Sequence, residues 1–245
     1  MADIRIFDSK HELGQAAAKR GADAIREAIR ADGKASIIVA TGASQFEMLD
    51  HLVKEEGIDW SRVTAFHLDE YVGIQKQHPA SFRRYLQERF VERLDGKVKL
   101  HEINAEGDAD REARRISALI MDENIAVCFA GIGENCHLAF NDPPADFDTR
   151  EPYIVVTLDE ACRKQQMGEG WFPTLADVPQ QAVSMSIQQI MKSALIVVSI
   201  SDERKAQAVK QALQGEIDVN YPASILQRHP NVAYFIDNPA ASLLP

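Results

Sequence analysis

Cysteine is scarce in this chain of 245 residues: three, Cys128, Cys136 and Cys162, with no C-x-x-C spacing. An odd number in an unstapled chain of this length excludes a disulfide framework and points to a reducing compartment. No apolar run approaches the roughly twenty residues that a membrane helix needs. The start, MADIRIFDSKHEL, lacks the basic region and apolar core of a signal peptide. A cytoplasmic protein with no membrane partner is therefore expected. Positive charge is in deficit, with 27 Lys plus Arg against 37 Asp plus Glu and a formal charge of -10. No basic block stands apart, which argues against a nucleic-acid partner. Such a chain holds a small anion only where loop amides, helix N-termini and a few cations make a locally positive site.

What is present is an alternation of short β-rich runs with segments of helical period, and 45% hydrophobic content to build a core. There is no repeat, low-complexity tract or linker, so residues 1–245 are expected to form one domain. Candidate strands are IRIF (4–7), SIIVA (36–40), VTAFHL (63–68), KVKLH (97–101), IAVCFA (125–130), YIVVTL (153–158), AVSMSI (182–187), ALIVVSI (194–200) and VAYFID (232–237). Several are apolar throughout, as strands covered on both faces must be. Ser9 and Glu12 at capping-box spacing and a closing Gly33 bound a first long helix. Ser44 and Glu47 repeat the box, and further helices are expected at 81–94, 108–123 and 202–214. The order predicts an α/β fold: a single doubly wound, mostly parallel, Rossmann-like sheet with helices on both faces. The 150–180 stretch, with Gly168, Gly170, Pro173 and Pro179, reads as an irregular, lid-like insertion.

In such folds ligands sit at the carboxyl ends of strands, and three strand ends carry chemistry. After SIIVA, the small residues Thr41, Gly42, Ala43 and Ser44 suit backbone contact with an anion, or an ordinary turn. After VTAFHL stand Asp69 and Glu70. A carboxylate there, partly buried, can serve as a general base, although most such residues only start a turn. After IAVCFA comes GIGENCHLAFNDPP, with Gly131 and Gly133 but Cys136 where G-x-G-x-x-G needs its third glycine, so a nicotinamide site is not expected. His137 and Asp142 read as an imidazole with an orienting carboxylate, or as a capping histidine with a surface acid.

HLDEYVG, HPASFRRYL, GIGENCHLAFNDPP, VPQQAVSMSI and YPASILQRHPNV stand in the order and spacing of the glucosamine-6-phosphate deaminase (isomerase) family. The resemblance runs from about Ser36 to Asp237. Tyr71 and LAFN resemble the deaminase branch more than the related 6-phosphogluconolactonases. The resemblance implies conversion of glucosamine 6-phosphate and water to fructose 6-phosphate and ammonia, with no metal or organic cofactor. His137 matches the ring-opening histidine, Asp142 its acidic partner and Asn135 a supporting hydrogen-bonding residue. Asp69 matches the carboxylate that moves a proton from C2 to C1. Lys205 matches a substrate-phosphate lysine, and Gly42 to Ser44 the phosphate loop.

Three departures stand out. Cys136 replaces the usual glycine, Asp142 is one methylene shorter than the usual Glu, and CRKQQMGEGWF lacks the arginine expected before its aromatic pair. Arg163 is the candidate replacement for that phosphate ligand, with Lys164 the alternative. The thiol of Cys136 is expected to point into the core. The chain ends soon after VAYFID, without the tail of allosteric hexameric members, so strong allostery is not expected, and a homo-oligomer is left open. Rival readings are a 6-phosphogluconolactonase-type lactone hydrolase, an enzyme for another amino sugar phosphate, and a non-catalytic sugar-phosphate sensor. The last would need a DNA-binding module for which residues 1–35 are too few.

Overall fold

The computed structural model describes residues 3–245. In chain order its regular elements are β1 (Asp3–Phe7), α1 (Lys10–Asp32), β2 (Ala35–Val39), α2 (Phe46–Leu52), β3 (Val63–His67), β4 (Asp69–Tyr71), α3 (Phe82–Leu86), β5 (Lys99–His101), α4 (Ala109–Ile120), β6 (Ile125–Ala130), β7 (Tyr153–Thr157), α5 (Glu160–Gly168), β8 (Gln181–Met185), α6 (Ile187–Ile190), β9 (Ile196–Ile200), α7 (Ala206–Gln214) and β10 (Val232–Asp237). Helix α1 begins and ends as its sequence predicts. Ser9 Oγ accepts the Glu12 amide at 3.2 Å, and Gly33 closes the helix at φ 75 in the left-handed region that glycine adopts without cost.

Seven strands form one sheet in the order β1-β10-β9-β6-β2-β3-β5, every pair parallel. Alternate side chains feed two cores. Ile37, Val39, Val127, Phe129 and Phe235 pack under α1, α2 and α3. Ile38, Cys128, Ala130, Ile196, Val198 and Ile236 pack against α4, α6 and α7. Both faces of the central strands β2, β6 and β9 are covered, which is why they carry so little polarity, whereas the edge strand β1 is exposed.

Three expectations change. The runs at 153–158 and 182–187 are strands, but they leave the main sheet for a three-stranded antiparallel one, β4-β8-β7. Its third member, Asp69–Tyr71, is a strand not expected from the sequence. The 150–180 stretch is only partly irregular: it holds β7 and then α5, whose N-cap Asp159 accepts the Cys162 amide. The second capping box does not form. Ser44 lies in a short 3-10 turn, and α2 starts one residue after it, from an uncapped Gln45.

Candidate active site at the switch point

Strands β2 and β6 are neighbours, and from them the sheet grows outward in opposite directions, through β3 and β5 on one side and β9 and β10 on the other. That reversal opens a crevice at their carboxyl ends. A cavity of about 150 Å³ lies there, and it draws on all three predicted strand ends. Thr41, Gly42, Ala43 and Ser44 line it from β2, Asp69 from β4, Gly131, Gly133 and His137 from β6, and Lys205 from the turn after β9.

Asp69 is 7% exposed. Burial first, and then the charge of neighbouring Glu70, push its pKa well above the carboxylate range. Glu70 has a different fate. It is fully buried and accepts hydrogen bonds from the Tyr71 amide (3.0 Å), Ser81 Oγ (2.9 Å) and the amides of Phe82 (3.2 Å) and Arg83 (3.0 Å). It thereby anchors the first turn of α3. The Arg83 guanidinium, 3.5 Å away, completes the arrangement.

His137 stacks over Gly133 so closely that a Cβ there would overlap the ring. Its Nδ1 lies 3.0 Å from Asp142 Oδ1, out of line for a straight hydrogen bond but at ion-pair distance. This leaves Nε2 as the nitrogen available to a bound molecule. Burial alone would raise the pKa of Asp142, but the contacts with His137, the Asp159 amide and Asn135 hold it below the usual range. Asn135 does not line the cavity but braces the histidine's loop. Its Nδ2 donates to Asp142 Oδ1 (3.0 Å) and Asp159 Oδ2 (3.1 Å), and its Oδ1 accepts the His137 amide (3.2 Å).

Cys136 takes φ 70, the conformation for which a glycine is usual. Its thiol leaves the cavity, meets the carbonyl of Ala208 at 3.6 Å and is pushed up to about 11 by burial. The thiol points into the core, as its sequence context predicts.

Lys205 is 8% exposed, and no carboxylate of the described residues comes within ion-pair distance. Burial lowers its pKa, while the charges of Glu169 and Glu134 partly offset this. Arg163, proposed above as a phosphate ligand, must be corrected. Its Nη2 donates to the carbonyls of Leu175 (2.7 Å) and Val178 (3.1 Å), and it does not line the cavity. Lys164 pairs instead with Glu160 on the surface.

Sequence reasoning passed over Lys10, Gln165, Gln166, Glu169 and Arg204, which also line the cavity. Arg204 adjoins Lys205 after β9 and could have been found by reading that strand end as the others were read. It is held by Asp202 (3.1 Å) and Glu134 (3.3 Å). The glutamines had no such signal, because α5 itself was not expected.

The fold and the cavity define a doubly wound α/β protein whose site lies at the switch point, with a carboxyl group, an imidazole and a free cation around one space. Residues 8–234 match the model of the family described as glucosamine-6-phosphate isomerases/6-phosphogluconolactonase, and the chain belongs to that family. It is 37% identical over 241 residues to glucosamine-6-phosphate deaminase 1 of Bacillus subtilis, covering 96% of each chain. It is 36% identical to the glucosamine-6-phosphate deaminase of Exiguobacterium sibiricum over 219 residues, 89% of this chain and 85% of that one. A solved structure of a monomeric glucosamine-6-phosphate deaminase superimposes with a TM-score of 0.87 at 33% identity, covering 98% and 99% of the two chains. A 6-phosphogluconolactonase from Shewanella baltica shares the fold, with a TM-score of 0.79 at 22% identity over 97% and 98%. Among the described residues no helix is long and apolar enough to cross a membrane.

Proposed function

We propose that this chain converts glucosamine 6-phosphate and water to fructose 6-phosphate and ammonia. The observation that carries the reading is that Asp69 and His137 line the same cavity as Thr41 to Ser44 and the buried Lys205. A phosphate fits the second group, where the buried lysine charge lacks a partner and small residues expose backbone. The sugar carbons then lie toward the first.

The closed ring must open before any isomerisation. His137 moves the proton from the anomeric hydroxyl to the ring oxygen, with Asp142 and Asn135 fixing the imidazole. Asp69, ionised when substrate binds, removes the proton from C2 while the aldehyde oxygen O1 takes a proton from the substrate's own ammonium, and then delivers the C2 proton to C1 of the resulting enolamine. The product is a ketose imine at C2. Water adds to that carbon and its C–N bond breaks, releasing ammonia and leaving the C2 carbonyl of fructose 6-phosphate. The raised pKa of Asp69 suits this cycle, since a base must also give its proton back. Three unbridged, buried thiols suit a reducing compartment, and we assign the activity to the cytoplasm.

The test is to incubate the purified chain with glucosamine 6-phosphate and, separately, with a 6-phosphosugar lactone. Equimolar fructose 6-phosphate and ammonia from the first supports the proposal. Hydrolysis of the lactone alone would assign the site to the other branch of the family.

A further inference from the structure

A second cluster of ligating side chains lies on the surface formed by the first turn of α1 and by α2. His11 Nδ1 is 3.3 Å from Glu47 Oε2 and 3.4 Å from His51 Nε2. All three donor atoms lie within 4.8 Å of one another. The imidazoles meet edge to face, with ring centroids 4.6 Å apart.

Two features distinguish this cluster from a chance meeting of surface side chains. Zinc binds imidazole nitrogen and carboxylate oxygen at roughly 2.0–2.2 Å, and tetrahedral angles then separate neighbouring donors by about 3.3–3.6 Å. The two measured separations already have that length. The backbone beneath is also fixed. Glu47 and His51 are four residues apart on one helix face. One turn after His11, Gly14 packs so tightly on Glu47 and Met48 that any Cβ would overlap them.

The other groups nearby leave the cluster free to bind. Asp50 is engaged by Lys54 (2.5 Å) and Arg93 (3.2 Å). The side chains of His11 and Glu47 are 66% and 44% exposed, so an ion has open access.

We propose that His11, Glu47 and His51 form a zinc site, with water as the fourth ligand, that ties the start of α1 to α2. Lys10, the first residue of α1, lines the cavity beside His11, and α2 follows the Thr41–Ser44 loop that lines it. The ion is a clamp and takes no part in the chemistry.

Titrating the metal-stripped full chain with Zn²⁺ alone in a calorimeter tests this. One equivalent should bind, and a hundredfold excess over the dissociation constant should raise Tm by about 5–10 °C. His11→Ala and His51→Ala should each weaken binding at least tenfold, with turnover of glucosamine 6-phosphate unchanged. Cys162→Ser should bind as the wild type does. The proposal is overturned if no saturable binding occurs below about 100 µM, or if binding survives intact in His51→Ala. It is also overturned if binding is lost in Cys162→Ser, which would put the ion at the buried group of His137, Asp142 and Cys162 instead.

Discussion

Replacing Lys205 by methionine should make the free protein more stable and the enzyme worse. The ammonium is buried, and no carboxylate pairs with it among the described residues. A buried ion without a partner costs several kcal/mol, and an apolar side chain of similar length removes that cost. After allowing for water in the open cavity, we expect a gain of about 1–3 kcal/mol, or about 3–10 °C in Tm for a chain of this size. Burial lowers the pKa of Lys205, so between that lowered value and the ordinary 10.5 the unfolded chain binds more protons. Wild-type stability therefore rises with pH across this window. The advantage of the methionine variant should be greatest near neutrality and vanish above the ordinary lysine range. Binding moves the other way. A charge-assisted contact to phosphate is worth about 1.5–3 kcal/mol, so KM for glucosamine 6-phosphate should rise about 10- to 150-fold. Affinity for the unphosphorylated sugar should barely change. Scanning calorimetry at several pH values and steady-state kinetics give both readouts. A fall in Tm with unchanged KM would refute the reasoning, because Lys205 would then be a structural residue.

Asp69→Asn should lower kcat by about 10²- to 10⁴-fold, the usual worth of a general base, and abolish solvent-deuterium exchange at C2. Because the folded chain raises this carboxyl's pKa, the wild type loses relative stability as pH climbs through that value, so the Asn variant should gain on it toward neutral pH in thermal melts. Glu70→Gln should cost about 2–4 kcal/mol in urea unfolding, since an amide cannot replace a carboxylate that accepts four donors beside Arg83; an unchanged midpoint would sink that role. Cys136→Gly relieves a left-handed residue of about 1 kcal/mol but gives up a buried thiol. Its stability should stay within about 1 kcal/mol of the wild type and its kcat/KM within about twofold, and a tenfold loss of kcat/KM would place the thiol in the site.

The sheet was legible because burial on both faces writes itself as apolar runs, as in β2, β6, β9 and β10. The site was legible where chemistry follows a strand directly, as at Thr41, Asp69 and Gly131. It was not legible where packing decides. Arg163 is one turn from Gln166, yet its side chain turns to the carbonyls of Leu175 and Val178 while Gln166 accepts the Tyr71 hydroxyl at 2.7 Å and lines the cavity. Nothing in CRKQQMGEGWF says which face of α5 looks inward, because that helix has polar residues on both. The Ser44–Glu47 pair misled for a related reason. Capping-box spacing predicts a helix start only if the chain is extended at the serine, and here the chain is already in a 3-10 turn at Ser44.

The adjacent acids Asp69 and Glu70 show how one local rule sends neighbouring side chains to different places. Had HLDEY ended in a turn, both carboxylates would have faced solvent with little to tell them apart. As a strand, β4 sends successive side chains to opposite sides. Asp69 pairs across from Ser184 and opens onto the cavity, while Glu70 points back to the start of α3. The second acid serves the first in two ways. Its fixed charge helps to raise the pKa of Asp69. Its bonds to the amides of Phe82 and Arg83 also hold the start of α3, whose first residue, Phe82, lines the same cavity. A neutral residue at position 70 would weaken both the anchor and the base, so the two acids act as a pair although only one meets the cavity.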